Sequence, residues 1–285
     1  MGSRFLRFPE GKFKAVTLSY DDGCRADKRL AEILTKHGIK CTFNINSGFM
    51  GKDENDWHLT KEEIQKYIID NGHEIAVHGE RHVANGNAKL VKGIRDVLNC
   101  RVTLENEFGL IVRGMAYPDT GISRFHNGTT LPDVETYLKA LDIAYARALC
   151  SYPSDFELPA DWYVWLPNAH HNSENVFELI EKFVNMPPST YHATASPKLF
   201  YLWGHAYEFD NNNNWDRIEK ICENLSGKED IWYATNIEIF DYVAAYNSLI
   251  TSADGRRIYN PTLKTIWFYD NDKIYSIAPD ETLYI

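Results

Sequence analysis

The chain has 285 residues, of which 44% are hydrophobic, 25% charged and 13% aromatic. This composition can bury a large core, which excludes a disordered or fibrous protein. The formal net charge is −10 and no run of Lys or Arg occurs, so a nucleic-acid partner is not expected. No stretch approaches the ~18–20 consecutive apolar residues of a membrane helix. A membrane partner is therefore not expected either, and the oligomeric state is left open.

The cysteines and the N-terminus bear on the compartment. The five cysteines are widely spaced, and their sequence contains no CxxC motif. This usage predicts free thiols rather than a disulfide framework or a structural zinc cluster. The N-terminal segment carries charges where a signal peptide has its apolar core, so the sequence favours a cytoplasmic location.

Strand and helix patterns alternate along most of the chain. Apolar runs rich in β-branched residues predict strands at 14–19, 40–45, 73–77, 110–116, 142–147, 199–203 and 231–235. Helical spacing of apolar residues predicts helices at 27–37, 60–70, 90–107, 133–141, 174–185, 215–225 and 237–248. About seven strand–helix units joined by right-handed crossovers predict an α/β fold, a distorted (β/α)7 TIM-like barrel. We assign residues 1–249 to this barrel.

The pattern changes in the last part of the chain. Short apolar segments occur at 256–260, 264–269, 273–277 and 282–285. Turn signals such as Asp254-Gly255 and Asn271-Asp272 separate them at hairpin spacing. We therefore predict that residues 250–285 form a small antiparallel β appendage packed on the barrel.

Polar motifs follow three of the predicted strands. They are SYDDG at 19–23, HGERH at 78–82 and LWGH at 202–205. Residues at the carboxyl ends of barrel strands line the active face. Taken alone, the paired carboxylates of the first motif fit a loop start or a helix N-cap as well as a catalytic or metal-binding pair. Two histidines four apart face the same way on a helical turn, and with one carboxylate they form a metal set with open positions.

The order and spacing of these motifs resemble those of the polysaccharide deacetylases, the NodB-homology group of carbohydrate esterase family 4. The resemblance covers roughly residues 12–245. It implies that Asp22, His78 and His82 ligate a divalent metal ion. Zn²⁺ is the expected ion, with Co²⁺, Ni²⁺ and Fe²⁺ left open because the ligand set alone does not select among them.

The same resemblance implies a reaction. Asp21 would be the general base and His205 the general acid for attack of a metal-activated water on an acetyl group. The expected substrate is an acetylated oligo- or polysaccharide, with N-acetyl favoured over O-acetyl groups. Two alternatives stay open: a hydrolase of a non-sugar C–N amide bond, and a carbohydrate-binding relative with weak catalysis.

The third motif departs from the family pattern. The family has Arg-x-Pro, whose Arg orients the catalytic base, whereas this chain has MAYPDTG with Ala116 in the place of the Arg. This form is similar to an Ala-Tyr-Pro variant of divergent branches. Arg113 lies on the opposite face of the predicted strand, where we expect a salt bridge. By resemblance, Tyr117, Pro118 and Asp119 line the substrate site, with the Asp119 N–H as oxyanion donor.

A fourth motif, in which an Asp-Trp pair positions the catalytic histidine, resembles Asp161-Trp162. The alternative is a loop aspartate beside a core tryptophan. Just beyond His205, Glu208 either contacts polar substrate groups or caps the following turn.

Overall fold

A computed structural model describes residues 4–53, 55–189, 191 and 195–285. Its strands are β1 (Phe5–Arg7), β2 (Lys14–Asp21), β3 (Cys41–Ile45), β4 (Glu74–Val77), β5 (Gly114–Ala116), β6 (Tyr145–Arg147), β7 (Ala169–His170), β8 (Lys198–Gly204), β9 (Ile231–Tyr233), β10 (Ile250–Thr251), β11 (Arg257–Tyr259), β12 (Ile266–Asp270), β13 (Lys273–Ile277) and β14 (Thr282–Tyr284).

The helices are α1 (Ala26–Lys36), α2 (Lys61–Glu63), α3 (Leu90–Phe108), α4 (Leu131–Ala140), α5 (Val176–Val184), α6 (Tyr207–Asn211), α7 (Trp215–Leu225) and α8 (Asn236–Asn247). A π-helical segment, Ile64–Ile68, and a 3-10 turn extend α2 to Asn71. Thr60 and Glu63 form the capping box that starts this irregular helix. None of the helices among the described residues is both long and apolar enough to cross a membrane.

The central sheet is parallel and curled. Its strand order is β6-β5-β4-β3-β2-β8-β7, and β9 pairs with the first residues of β2. At the open seam, the backbone of Arg147 at the end of β6 bridges to Trp165, which precedes β7. These features confirm the predicted (β/α)7 barrel. Two short elements, β7 and α6, were not predicted because two to five residues carry no readable hydrophobic period.

Alternate residues of the strands face two different cores. On β2, Val16 and Leu18 pack with the helices, whereas Ala15 belongs to a second core inside the barrel. The polar residues Thr17 and Asp21 share the inner face with Ala15, because side chains alternate along a strand. Asp21 is the last residue of β2 and therefore lies at the carboxyl end of the barrel.

Two antiparallel sheets complete the fold, with strand orders β1-β12-β13 and β10-β11-β14. This confirms the predicted antiparallel character of the C-terminal segment. The structure adds β1, which comes from the N-terminus and pairs with β12. Ile258, Ile266 and Phe268 of these sheets are buried in the inner core. The domain boundary at residue 249 stays a prediction.

All five cysteines are free thiols, as predicted, and Cys150 is the exposed one.

Candidate active site

The first motif forms a sharp turn at the end of β2. Asp22 and Gly23 adopt φ values of 78° and 62°. A Cβ on Gly23 would lie 3.0 Å from Cδ1 of Ile45, so both φ and space favour glycine there. Asp22 has no such freedom, and a non-glycine residue in this region is typical of a functional constraint. The turn brings the two carboxylates of Asp21 and Asp22 to one end of the barrel.

The second motif is a loop after β4 and not the helical turn that we expected. Gly79 and His82 have φ values of 80° and 55°, which bend the chain so that His78 and His82 meet. Asp96 of α3 holds the loop by accepting a hydrogen bond from the backbone N–H of Arg81 at 2.7 Å. A Cβ on Gly79 would lie 2.1 Å from Oδ2 of Asp96, so this anchor requires glycine.

The three predicted metal ligands lie together. Oδ1 of Asp22 is 3.5 Å from Nε2 of His78 and 3.5 Å from Nε2 of His82. One ligand atom from each of the three residues lies within 4.8 Å of the others. Two imidazoles and one carboxylate form a donor set that suits Zn²⁺ and similar divalent ions and leaves coordination positions open.

His78 is prepared for this role by its surroundings. Its Nδ1 lies 2.9 Å from the carbonyl oxygen of Ala116 on β5. A carbonyl only accepts, so Nδ1 carries the hydrogen and Nε2 keeps its lone pair toward Asp22. Burial lowers the pKa of His78, which favours the neutral, ligating form. The residues present therefore fit a divalent metal ion.

Asp21 is buried beside this group, with both oxygens engaged. Oδ1 accepts a hydrogen bond from the Asn44 side chain at 2.8 Å, and Oδ2 lies 2.5 Å from Nη2 of Arg147. Burial acts most strongly and opposes ionisation. The charges of Arg147, His78 and His205 and the Asn44 hydrogen bond outweigh it and lower the pKa of Asp21. Asp21 is thus an ionised carboxylate at neutral pH.

His205 follows β8 and faces both carboxylates. Its Nε2 is 3.9 Å from Oδ2 of Asp21 and 3.9 Å from Oδ2 of Asp22. Its Nδ1 is 3.2 Å from Oε1 of Glu208, three residues along the chain. Burial is the largest influence and disfavours the cation, but Glu208, Asp21 and Asp22 together raise the pKa of His205. The site thus favours an imidazolium at this position.

Glu208 links three histidines. Besides its contact with His205, its Oε2 lies 3.0 Å from Nε2 of His170 and 3.1 Å from Nε2 of His171. Burial opposes its ionisation, yet the hydrogen bonds from His170, His171 and His205 hold the pKa of Glu208 well below its usual value. Burial lowers the pKa of His171 to about 4. Glu208 is therefore an anion that supports His205 from behind.

The structure gives Asp161 and Trp162 contacts other than the predicted one with the catalytic histidine. Oδ1 of Asp161 accepts from the backbone N–H of Tyr163 at 2.8 Å and caps a 3-10 turn. The Trp162 ring packs edge-on against Trp165 and Phe240, with centroids 4.9 Å and 5.1 Å away. The alternative interpretation, a loop aspartate beside a core tryptophan, is the one that the structure supports. Local sequence resembled the motif, but the chain path takes this segment into the inner core.

The third motif contributes its backbone to the site. The Ala116 carbonyl contacts His78, but the Tyr117 hydroxyl points into the core and donates to the Tyr163 carbonyl at 3.0 Å. Pro118 is buried and Asp119 is exposed with a φ of 52°. The oxyanion role of the Asp119 N–H stays a prediction.

Arg113 forms the salt bridge that we expected on the outer face. Its Nη1 lies 3.1 Å from Oδ1 of Asp241 on α8. Arg113 therefore does not replace the motif-three arginine.

Aromatic side chains flank the site. Tyr207 was a candidate for stacking on a sugar ring, whereas Trp57 and Phe49 were not predicted. The Trp57 and Tyr207 rings lie 5.5 Å apart, and Tyr207 lies 5.1 Å from the His205 ring. Trp57 is 50% exposed and Phe49 is 37% exposed. Both belong to the loop between β3 and α2, which lacks any periodic pattern that could have marked them.

Comparison with known proteins finds a similarity over the first half of the chain. The family model described as polysaccharide deacetylase matches residues 9–135, a segment that contains the SYDDG, HGERH and MAYPDTG motifs. Residues 9–135 are thus similar to the polysaccharide deacetylases. This agrees with the family that the motifs resemble, and it supports a deacetylating hydrolase. A search of curated proteins returned no significant match.

Solved structures agree with the polysaccharide deacetylase fold. A Mycobacterium smegmatis protein assigned to the polysaccharide deacetylases aligns with a TM-score of 0.58 and 17% identity, over 87% of this chain and 96% of that chain. Puue allantoinase aligns with a TM-score of 0.56 and 12% identity, over 82% and 91%. The Streptococcus pyogenes deacetylase PplD, solved with acetate, aligns with a TM-score of 0.40 and 16% identity, over 46% of this chain and 54% of that chain. At these identities the first two show a shared fold.

Proposed function

We propose that this protein is a metal-dependent hydrolase that removes N-acetyl groups from an oligo- or polysaccharide. The observation that carries the proposal is the convergence of three distant motifs at one end of the barrel. His205 Nε2 lies 3.9 Å from a carboxylate oxygen of both Asp21 and Asp22, and Asp22 contacts His78 and His82. A base, an acid and a metal-ligand set thus share one site.

Asp22, His78 and His82 would hold the ion. Zn²⁺ matches the donor set best, and Co²⁺, Ni²⁺ or Fe²⁺ would occupy the same ligands. When bound, such an ion lowers the pKa of a coordinated water and polarises the acetyl carbonyl.

Asp21 accepts the proton of the attacking water. It is ionised at neutral pH, and its oxygens are held by Asn44 and Arg147, so its orientation is set before substrate arrives. Asp22 is adjacent in sequence but is committed to the ligand set. The division of labour between these neighbouring carboxylates follows from their different partners.

His205 donates a proton to the departing nitrogen. An amine leaves poorly as an anion, so amide hydrolysis requires a general acid. Glu208 holds Nδ1 of His205 and favours the cation, which leaves the Nε2–H directed toward the carboxylates. The presence of this supported acid favours an N-acetyl substrate over an O-acetyl one, because an alkoxide leaves more easily.

The aromatic rim supports a carbohydrate substrate. The Tyr207 ring lies beside His205, the Trp57 ring contacts Tyr207, and Phe49 is exposed on the same loop as Trp57. Sugar rings offer apolar C–H faces that pack on such aromatic side chains. The chain's net negative charge does not oppose a neutral glycan or a cationic deacetylated product.

Acetate release from a substrate panel tests the proposal. The Zn²⁺-loaded protein is given N-acetylchitooligosaccharides and acetylated xylan, which are assayed for acetate, with Asp21→Asn as the matched variant. Allantoin is assayed separately for its ring-opened product allantoate, because its hydrolysis releases no acetate. We expect acetate from the chitooligosaccharides and a decrease of about 10²–10⁴-fold in Asp21→Asn. Activity confined to xylan or allantoin would contradict the N-acetyl assignment. Oligomer binding without acetate release would support a carbohydrate-binding relative instead.

A further inference from the structure

We propose that Arg147 is the positioning residue for the catalytic base Asp21 and that it works from the strand next to Ala116. This inference rests on the proposed function, since it assigns how the base of that reaction is oriented. Arg147 was not among the predicted site residues, because it lies 126 residues from Asp21 and its local sequence carries no motif.

The geometry joins Arg147 directly to the reacting carboxylate. Arg147 is the last residue of β6, its side chain is fully buried, and its Nη2 lies 2.5 Å from Oδ2 of Asp21. Asn44 donates to the other oxygen of Asp21 at 2.8 Å. Donors from two strands thus hold the two oxygens, which fixes the rotation of the carboxylate and its direction toward His205.

The strand register explains how the arginine reaches this place. Ala116 on β5 and Arg147 on β6 are direct partners in the parallel pairing. Register partners on neighbouring strands project from the same face of the sheet. An arginine at 147 therefore covers the area that an arginine at 116 would occupy, and the alanine leaves room for it.

The preceding register pair on this face of β5 and β6 also combines a small residue on β5 with a large one on β6. Gly114 is the register partner of Tyr145. A Cβ on Gly114 would lie 2.2 Å from the Tyr145 hydroxyl oxygen, so the large side chain on β6 depends on the small residue on β5. Along this face, β5 supplies small residues and β6 supplies large ones.

Within the described part of the chain, the ion pair of Arg147 is with Asp21. Among the residues that the structure describes, Nε and Nη1 of Arg147 have no hydrogen-bond acceptor. Its guanidinium lies 4.6 Å from the Trp203 ring centroid, which supports the fork without adding a second anion. A purely structural buried arginine would satisfy more of its donors. This arrangement instead holds one carboxylate oxygen of the active site.

Steady-state kinetics of three variants test the proposal in the Zn²⁺-loaded protein. Arg147→Met is expected to lower kcat for N-acetylchitooligosaccharides by about 100-fold, while KM and bound Zn²⁺ change less than about 2-fold, because a displaced base affects the chemical step. Arg147→Lys keeps the charge but replaces the rigid planar guanidinium by a shorter, flexible ammonium that holds Oδ2 of Asp21 less precisely, so we expect about a 10-fold decrease in kcat. Ala116→Arg combined with Arg147→Ala is expected to recover at least about 10-fold of the lost kcat.

The control is Arg113→Met, which removes an arginine near β5 that pairs with Asp241 outside the site, and we expect it to keep wild-type kcat. If Arg147→Met does not fold, Arg147→Lys decides, with folding confirmed by its thermal midpoint. Wild-type kcat in Arg147→Met or Arg147→Lys overturns the inference, as does a double variant that recovers nothing. A wild type that releases no acetate overturns the proposed function and this inference together, whereas an active wild type with equally active Arg147 variants overturns this inference alone.

Discussion

Nδ1 of His78 lies 2.9 Å from the carbonyl oxygen of Ala116, so the backbone of one strand sets the tautomer of a ligand that follows the neighbouring strand. The third motif has Ala116 in place of the family's arginine, but its backbone carbonyl still contacts a residue of the site. Because Nδ1 carries the hydrogen, the free Nε2 is the atom directed at Asp22.

Replacing His78 tests the ligand set. His78→Ala removes one of three metal donors, so we expect its affinity for Zn²⁺ to fall at least about 10-fold. The variant should therefore lose its Zn²⁺ on dialysis, whereas the wild type should retain one equivalent. Metal analysis of the dialysed proteins measures this. His126→Ala, which alters an exposed histidine of another loop, is the control and should keep its metal. Full occupancy in His78→Ala would show that the ion binds elsewhere.

Replacing Glu208 tests the support of His205. Glu208 helps to raise the pKa of His205, so Glu208→Gln should lower that pKa and shift the alkaline limb of kcat/KM to lower pH. The cationic fraction at pH 8 falls accordingly, and we expect kcat/KM there to decrease about 10-fold. Glu181→Gln, at an exposed position of α5, should leave the profile unchanged. An alkaline limb at the same pH in Glu208→Gln would contradict the assignment of His205 as acid.

Replacing Trp57 tests the aromatic rim. An aromatic contact contributes about 0.5–1.5 kcal/mol, so Trp57→Ala should raise KM for chitooligosaccharides about 3- to 10-fold and leave kcat nearly unchanged. Tyr284→Ala removes a 73% exposed ring from β14 and serves as the control. A fall in kcat with constant KM would instead place Trp57 in the chemical step.

His73, which lies outside the proposed active site, makes the stability of the fold depend on pH. Its Nδ1 accepts from the Cys41 N–H at 3.2 Å and its Nε2 lies 3.0 Å from the Thr35 hydroxyl. Burial lowers its pKa to about 4, against 6.5 in the unfolded chain. Between pH 6.5 and pH 4, His73 is protonated in the unfolded state but neutral in the folded state. The free energy of unfolding therefore decreases as the pH falls from 6.5 to 4.

Urea unfolding at pH 7 and pH 5 measures this effect. The wild type should lose about 2 kcal/mol more of its free energy of unfolding between these pH values than His73→Asn, whose amide keeps an acceptor for Cys41 but does not titrate. Equal losses in the two proteins would show that His73 is protonated without cost in the folded state.

The sequence predicted the parts of the site that are marked locally. Asp21, Asp22, His78, His82 and His205 follow strands in short motifs, and strand ends of a barrel meet at one face, so their convergence could be expected. The alternating hydrophobic pattern likewise predicted the parallel strands of the barrel.

The remaining site residues depend on pairing between distant strands. Arg147 reaches Asp21 because β6 pairs with β5 in one particular register, and that register is not visible in either strand alone. His170 and His171 reach Glu208 through β7, which is only two residues long. Glu208 is different, because it was a candidate residue from its position three residues after His205. Its contact with the His205 imidazole was not predicted. Asp161 is the opposite case, because its local sequence resembles a site motif whereas its carboxylate accepts from the Tyr163 N–H.

Acetate release from one chitooligosaccharide is measured before chelation, after chelation and after reloading with Zn²⁺, which decides whether deacetylation depends on the metal. We predict activity in the first state, its loss in the second and its recovery in the third, with Asp21→Asn about 10²–10⁴-fold less active than the wild type in the first and third states. Equal acetate release in all three states, or none in any of them, would contradict the assignment of this protein as a metal-dependent deacetylase.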